Sequence, residues 1–332
     1  MDKKDILITG GAGYIGSHTV VELFDSGYRP IIVDNLSNSS INNIRGIEKI
    51  IKNKVIFHNL DCTDFEQMKK LFEKYVNIKA VIHFAAFKSV EESVRKPKKY
   101  YSNNITSLEI ILDLMNKFNI NNIIFSSSCT VYGRPDFLPV NEKAPFKKPE
   151  SPYAETKQLC EQLINDSRLN SISLRYFNPI GSHQSSLIGD CSADKPNNLV
   201  PIICEVASGK RNSMRINGND YGTNDGTCVR DYIHVVDLAI AHLMALNHIL
   251  ENTKIKTAYN VGVGKGVSVQ QVINCFEKTN KLKISYEIGP RRDGDVEIIY
   301  SDNRKINQEL NWFPIKSFES ALESAWSWEK GL

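Results

Sequence analysis

The chain has 332 residues, more than one core usually organises, so two lobes or one large α/β unit are expected. A net charge of +3 and 24% charged residues argue against a polyanionic partner, and the densest basic stretch, Arg95-Lys96-Pro97-Lys98-Lys99, reads as a solvated helix start rather than a nucleic-acid patch. No apolar run nears the ~18 residues of a membrane span, and seven scattered cysteines without a CxxC pair suit reduced thiols, so the reading is a cytoplasmic protein with no membrane contact, metal site or disulfide framework.

Nearly continuous runs of Ile, Val and Phe predict strands over 5–9, 30–34, 54–58, 80–84, 122–127 and 171–177, each in the manner of a strand buried on both faces. Helical patterns over 14–26, 64–75, 103–116 and 152–166 lie between them. This alternation is the signature of a parallel sheet wrapped by helices. Ser151-Pro152 reads as an N-cap followed by proline at the first helical position, which fixes where the last of these helices starts. After about residue 178 the regularity fades into loops over 181–198 and 217–227. A smaller mixed α/β lobe over 179–332 is therefore expected, capping the sheet's carboxyl edge, with chain crossovers between the two.

Ile6-Leu7-Ile8-Thr9 runs straight into Gly10-Gly11-Ala12-Gly13-Tyr14-Ile15-Gly16. A strand entering a glycine turn that opens a helix is the context a dinucleotide fingerprint requires. Gly10 permits the tight turn, Gly13 lets backbone approach a pyrophosphate, and Gly16 lets helix and strand pack closely. Eighteen residues after Gly16, Asp34 ends the second strand, where a carboxylate accepts hydrogen bonds from ribose hydroxyls and repels a 2′-phosphate. NAD is the expected cofactor, and residues 1–178 the expected Rossmann-like doubly wound domain.

Ser128 follows the fifth strand, and Tyr153 opens Tyr153-Ala-Glu-Thr-Lys157. Residues four apart share a helix face, so phenol and ammonium point into one space. A lysine there favours the phenolate, drawing a pKa that starts near ~10 toward neutrality. A phenolate beside a serine hydroxyl removes a proton from an alcohol, and that leads to chemistry only if a hydride also leaves the carbon. Each motif is weak alone. Their order downstream of the glycine turn is specific.

These residues resemble the extended short-chain dehydrogenase/reductase superfamily and, within it, the UDP-glucose 4-epimerase family. The likeness runs along essentially the whole chain, through His83-Phe84-Ala85-Ala86, Arg175-Tyr176-Phe177-Asn178-Pro179, Val229-Arg230-Asp231-Tyr232 and Pro290-Arg291-Arg292-Asp293-Gly294-Asp295. The resemblance implies reversible C4 epimerisation of UDP-glucose and UDP-galactose through a 4-keto sugar. Tyr153 is then the base, Ser128 its partner on the reacting oxygen, and Lys157 the residue that lowers the tyrosine pKa and positions the cofactor. NAD positions carry over to Tyr14, Ile15, Asp34, Asn35, Leu36, Ser37, Asn38, Ser39, Asp61, Cys62, Phe84, Ala85, Ala86, Lys88, Asn103 and Phe177. Those for the UDP-hexose carry over to Asn178, Asn198, Leu199, Asn217, Arg230, Tyr232, Arg292, Asp295 and Ile299. The resemblance also implies a homodimer through a four-helix interface, formed by the helices that carry the stripe Ile105, Leu108, Leu112 and Met115 and the residue Tyr153.

Two positions depart from the commoner family pattern. Asn217 stands where many members carry an aromatic near the uracil, and Ile299 stands at the gate beside the sugar's C2 substituent. An isoleucine there leaves UDP-N-acetylglucosamine open as an additional or alternative substrate. A 4,6-dehydratase on the same fold needs an acid just after the serine, and Cys129-Thr130 supplies none. A non-enzymatic NAD-binding scaffold is the rival of another class, and retention of Ser128, Tyr153 and Lys157 argues against it. His83 and His234 read as structural rather than catalytic.

Overall fold

A computed structural model describes residues 3–191, 196–292 and 295–331, so Asp293 and Gly294 of the family-like C-terminal segment lie outside the described residues. The six predicted strands form within two residues of their expected limits: β1 (Asp5–Thr9), β2 (Arg29–Val33), β3 (Ile56–His58), β4 (Ile78–His83), β5 (Asn122–Ser128) and β6 (Asn170–Tyr176). Between them run α1 (Tyr14–Asp25), α2 (Ile41–Ile51), α3 (Phe65–Lys74), α4 (Val90–Arg95), α5 (Pro97–Tyr100), α6 (Thr106–Lys117) and α7 (Pro152–Asp166). The helix expected from residue 103 differs at its start. Residues Tyr101–Ile105 form a π-helical turn that leads into α6, the kind of irregularity that marks functional sites.

Seven parallel strands make the main sheet, in the order β10-β6-β5-β4-β1-β2-β3, where β10 is Lys256–Val261. The order reverses between β1 and β4, and the crevice beyond the carboxyl ends at such a switch point is where open α/β sheets bind ligands. One face of the sheet is covered by α1, α2 and α9 (Val235–Glu251), burying Val20, Leu23, Ile44 and Leu246. The other is covered by α3, α6 and α7, burying Met68, Phe72 and Ile164. Leu108, Leu112 and Met115 are core here and Ile105 packs against them.

The second lobe is built on β9 (Val229–His234). It pairs in parallel with β7 (Asn178–Ile180) and β13 (Ile298–Ile299), and antiparallel with β11 (Gly266–Ser268). A separate parallel pair, β8 (Met214–Asn217) with β12 (Tyr286–Gly289), lies apart from it. Helices α8 (Leu199–Ala207), α10 (Val269–Asn280) and α12 (Phe318–Lys330) close a core around Ile203, Phe276 and Leu322, while α11 is Arg304–Leu310. Both α9 and β10 lie beyond residue 178 yet complete the cover and edge of the seven-stranded sheet. Among the described residues no helix is long and apolar enough to cross a membrane.

Candidate active site

The turn after β1 fits only glycine. Gly10 has φ +71°, and a Cβ on it would lie 2.7 Å from the Ala85 amide nitrogen. A Cβ on Gly16 would meet the Gly10 carbonyl and come within 2.8 Å of the Gly11 Cα. Gly13 differs: its Cβ would touch a single protein atom, the Gly10 carbonyl oxygen at 3.1 Å, and otherwise fill the cavity that Gly13 lines. As the N-cap of α1, Gly13 offers no side chain to the first turn, so the helix opens onto the cavity with free amides and the positive end of its dipole.

At the far wall Asp34 is buried, with Oδ2 accepting from the Ala12 amide at 3.0 Å and Oδ1 from the Leu36 amide at 2.9 Å and Ser39 Oγ at 2.8 Å. Burial raises its pKa, and these three bonds pull the other way. Asp61 receives Asn35 Nδ2 at 3.0 Å beside it. Thiol and carboxylate packing hold Cys62 protonated, since burial first and then Asp34 and Asp61 push its pKa far up. The donor set, the glycine cradle and this acidic end fit an adenine dinucleotide.

One cavity runs from that end to the catalytic trio. It is lined by Gly10, Gly13, Tyr14, Ile15, Gly16, Asp34, Asn35, Ser37, Asn38, Ser39, Asp61, Cys62, Phe84, Ala85, Ala86, Lys88, Asn103 and Phe177, and by Ser128, Tyr153 and Lys157. Leu36 is the exception among the predicted cofactor residues. Its side chain packs on the core, and its amide holds Asp34. Asn178 and Asn198 line the cavity from the second lobe.

The remaining substrate residues do not line this cavity. Leu199 opens α8 and packs on the second core, Tyr232 is buried against Phe318 in register with Asn178, and Asn217 ends β8 opposite Gly289. Arg230 and Arg292 converge on Asp295, with Arg292 Nη2 at 2.7 Å and Arg230 Nη2 at 3.6 Å from Oδ1. Ile299 is buried beside Phe177 and Cys129, in the apolar seam between the lobes. Arg291 turns outward to Asp220.

Lys157 is buried and Tyr153 half-buried on one face of α7, whose start is set by Ser151 accepting from the Ala154 amide at 3.2 Å. Lys157 Nζ donates to the Ser126 carbonyl at 2.6 Å and lies 5.8 Å from the Tyr153 ring centre. The expected depression of the phenol's pKa is corrected here. Burial pushes Tyr153 up to about 12, with the Ser128 hydrogen bond pulling down, and burial brings Lys157 down to about 8. Desolvation disfavours both charged forms, and the lysine's nearest partner is a carbonyl rather than the phenol.

His83 donates to or accepts from Thr9 Oγ1 at 2.8 Å and stacks on Phe125, and His234 caps α9, so both are structural as expected. Asp190 and Cys191 also line the cavity, and Asp190 pairs with Lys88 at 3.2 Å across it. Their irregular loop carries no motif by which sequence reasoning could place them. The lining carboxylates are Asp34, Asp61 and Asp190, and the two residues that follow Ser128, Cys129 and Thr130, are not acidic.

A family model described as GDP-mannose 4,6 dehydratase matches residues 7–325. The chain is 44% identical over 329 residues to the UDP-glucose 4-epimerase of Dictyostelium discoideum, covering 98% of this chain and 95% of that protein. It superposes with a TM-score of 0.95 on a Stenotrophomonas maltophila UDP-glucose 4-epimerase bound to NAD and formylated UDP-arabinopyranose, at 40% identity over 99% of this chain and 98% of the other. The Bifidobacterium longum enzyme, solved with NAD⁺ and UDP, gives a TM-score of 0.94 at 41% identity over 98% of each chain. Likeness of this extent, reaching through both lobes and joined to a Ser-Tyr-Lys site that lacks the dehydratase acid, places the chain in the UDP-glucose 4-epimerase family of the extended short-chain dehydrogenases/reductases.

Proposed function

We propose that this protein interconverts UDP-glucose and UDP-galactose by NAD-dependent epimerisation at C4. One observation carries the reading: the dinucleotide cradle and the trio Ser128, Tyr153 and Lys157 share a single cavity. NAD, when bound, supplies a reversible hydride acceptor and a positive charge. Gly13, Asp34, Lys88 and Asn103 are the residues that would hold it.

The chain's own work is proton transfer and anchoring. Tyr153 Oη takes the C4 hydroxyl proton, and Ser128 Oγ holds the same oxygen. A phenol pushed up to about 12 is protonated at neutral pH, so the site is poised as an acid until a positive charge arrives. The 4-keto sugar then turns over while its nucleotide stays anchored, so that C4 would regain its hydride on the opposite face as Tyr153 returns the proton to the C4 oxygen. Anchoring falls to Asn178, Asn198, Leu199, Asn217, Tyr232 and the two arginines gathered on Asp295, whose guanidinium forks suit a diphosphate. Residues 1–178 thus serve the cofactor and 179–332 the nucleotide sugar. Ile299 bounds the sugar end.

The same reading makes the protein a cytoplasmic homodimer, with α6 and α7 of each copy forming the four-helix interface. Leu159 on α7 is an exposed apolar side chain that such a contact would cover. Purified protein given UDP-galactose without added reductant should produce a UDP-glucose/UDP-galactose mixture and no net reduced cofactor. Unchanged UDP-galactose would remove the substrate assignment.

A further inference from the structure

A polar chain lies behind the catalytic side chains and reaches the cavity wall at Ser127. Glu161 sits one turn beyond Lys157 on α7, almost wholly buried. Its carboxylate grips the guanidinium of Arg175 on β6, with Nη2 to Oε2 at 2.6 Å and Nε to Oε1 at 2.9 Å. The Ser127 hydroxyl donates to that same Oε1. Arg175 Nη1 reaches the Tyr132 hydroxyl at 2.9 Å, which in turn donates to Asn260 Oδ1 on β10 at 2.6 Å.

Taking two charges out of water costs about as much as their attraction restores, so such a pair is weak as a source of stability. What it supplies is direction. Ser126, Ser127 and Ser128 are consecutive at the end of β5, while Tyr153, Lys157 and Glu161 succeed one another at four-residue steps along one face of α7. Lys157 holds the Ser126 carbonyl, and Glu161 holds the Ser127 hydroxyl. Ser128 is the next residue along the strand. It therefore meets Tyr153 across a gap that two adjacent ties set.

We propose that the Glu161–Arg175 pair is a positioning device for catalysis: through the Ser127 hydroxyl it fixes the end of β5 against α7 and sets the approach of Ser128 to Tyr153. The inference rests on the epimerase reading for its reaction and on these hydrogen bonds for its geometry. Misplacing a reacting group by an ångström costs on the order of 100-fold in rate.

Replacing Glu161 or Arg175 would strand a buried charge and endanger folding. Ser127→Ala removes only the hydroxyl. Full-length Ser127→Ala and wild type are compared with UDP-galactose, rates being normalised to retained cofactor, and the thermal midpoint and crystal structure of the variant are determined. The expected result is a kcat about tenfold or more lower with KM unchanged, a midpoint near wild type, and a Ser126–Lys157 contact longer than 2.6 Å. A folded variant with wild-type kcat overturns the proposal, as does a loss explained entirely by lost cofactor or a fallen midpoint. If wild type itself leaves UDP-galactose unchanged, the substrate reading fails separately. The crystal structure then decides the positioning, and an unmoved end of β5 refutes it.

Discussion

At the residue scale, the site turns on a phenol and an ammonium that burial treats alike. Tyr153→Phe keeps the ring and its packing and loses only the oxygen. Turnover of UDP-galactose is expected to fall about 10²- to 10⁴-fold, with fold and cofactor content retained; wild-type turnover would remove Tyr153 as the base. Asp34 holds three groups of its own chain besides any ribose. Asp34→Ala should therefore release cofactor more readily on gel filtration, read by absorbance of the eluted protein, and equal retention would remove this carboxylate from the cofactor site. The trio itself was legible in the sequence because its spacing and order are specific. The direction of the Tyr153 pKa was not, since helical spacing gives the Lys157 neighbour but not the desolvation around both groups or the carbonyl that occupies the lysine.

At the scale of elements, punctuation decided what could be read. α7 spans Pro152–Asp166, the limits its Ser151-Pro152 start and helical pattern predict. Ser151→Ala removes the cap on the Ala154 amide and should destabilise the protein by about 1 kcal/mol in denaturant unfolding. The start of that helix carries Tyr153, so kcat should fall with it while the cofactor stays bound, and unaltered stability and kcat would show the start to be held by packing alone. The π-helical turn over Tyr101–Ile105 has no such signature. It is imposed by tertiary bonds, among them Asn104, which accepts from the Phe87 amide at 2.8 Å and donates to the Phe87 carbonyl at 3.1 Å. Asn103 reaches the cavity from this turn.

At the scale of the molecule, four histidines are buried in their neutral form. Burial lowers His18 and His83 to about 3 and His234 and His242 to about 4. Unfolded, each binds a proton near pH 6.5, so between that pH and about 4 the unfolded chain holds more protons than the native one. Stability is thus present above pH 6.5 and is lost as pH falls through this window, by up to about 1.4 kcal/mol per pH unit for each histidine. Buried carboxylates with raised pKa, Asp34 and Asp231 among them, act in the opposite sense at lower pH. The midpoint of urea unfolding should drop steadily from pH 7 to pH 5, and a flat profile would contradict the buried-neutral assignment. The first lobe was legible almost strand by strand because its runs are apolar and evenly spaced. The second was not: β11 and β13 are three and two residues long, and β10 betrays nothing in its own sequence of the sheet it joins.

That return of β10 bears on how the chain is made. On the ribosome, residues up to 178 emerge with β6 unpaired along one side and the α1 face still lacking α9. At about 5–20 residues per second, several seconds pass before residue 261 clears synthesis and closes that edge. For that interval the nascent chain displays an unpaired strand edge, a feature that templates aggregation. The first lobe is therefore a unit of sequence and of chemistry but not of folding, and cutting the gene at residue 178 should yield insoluble protein.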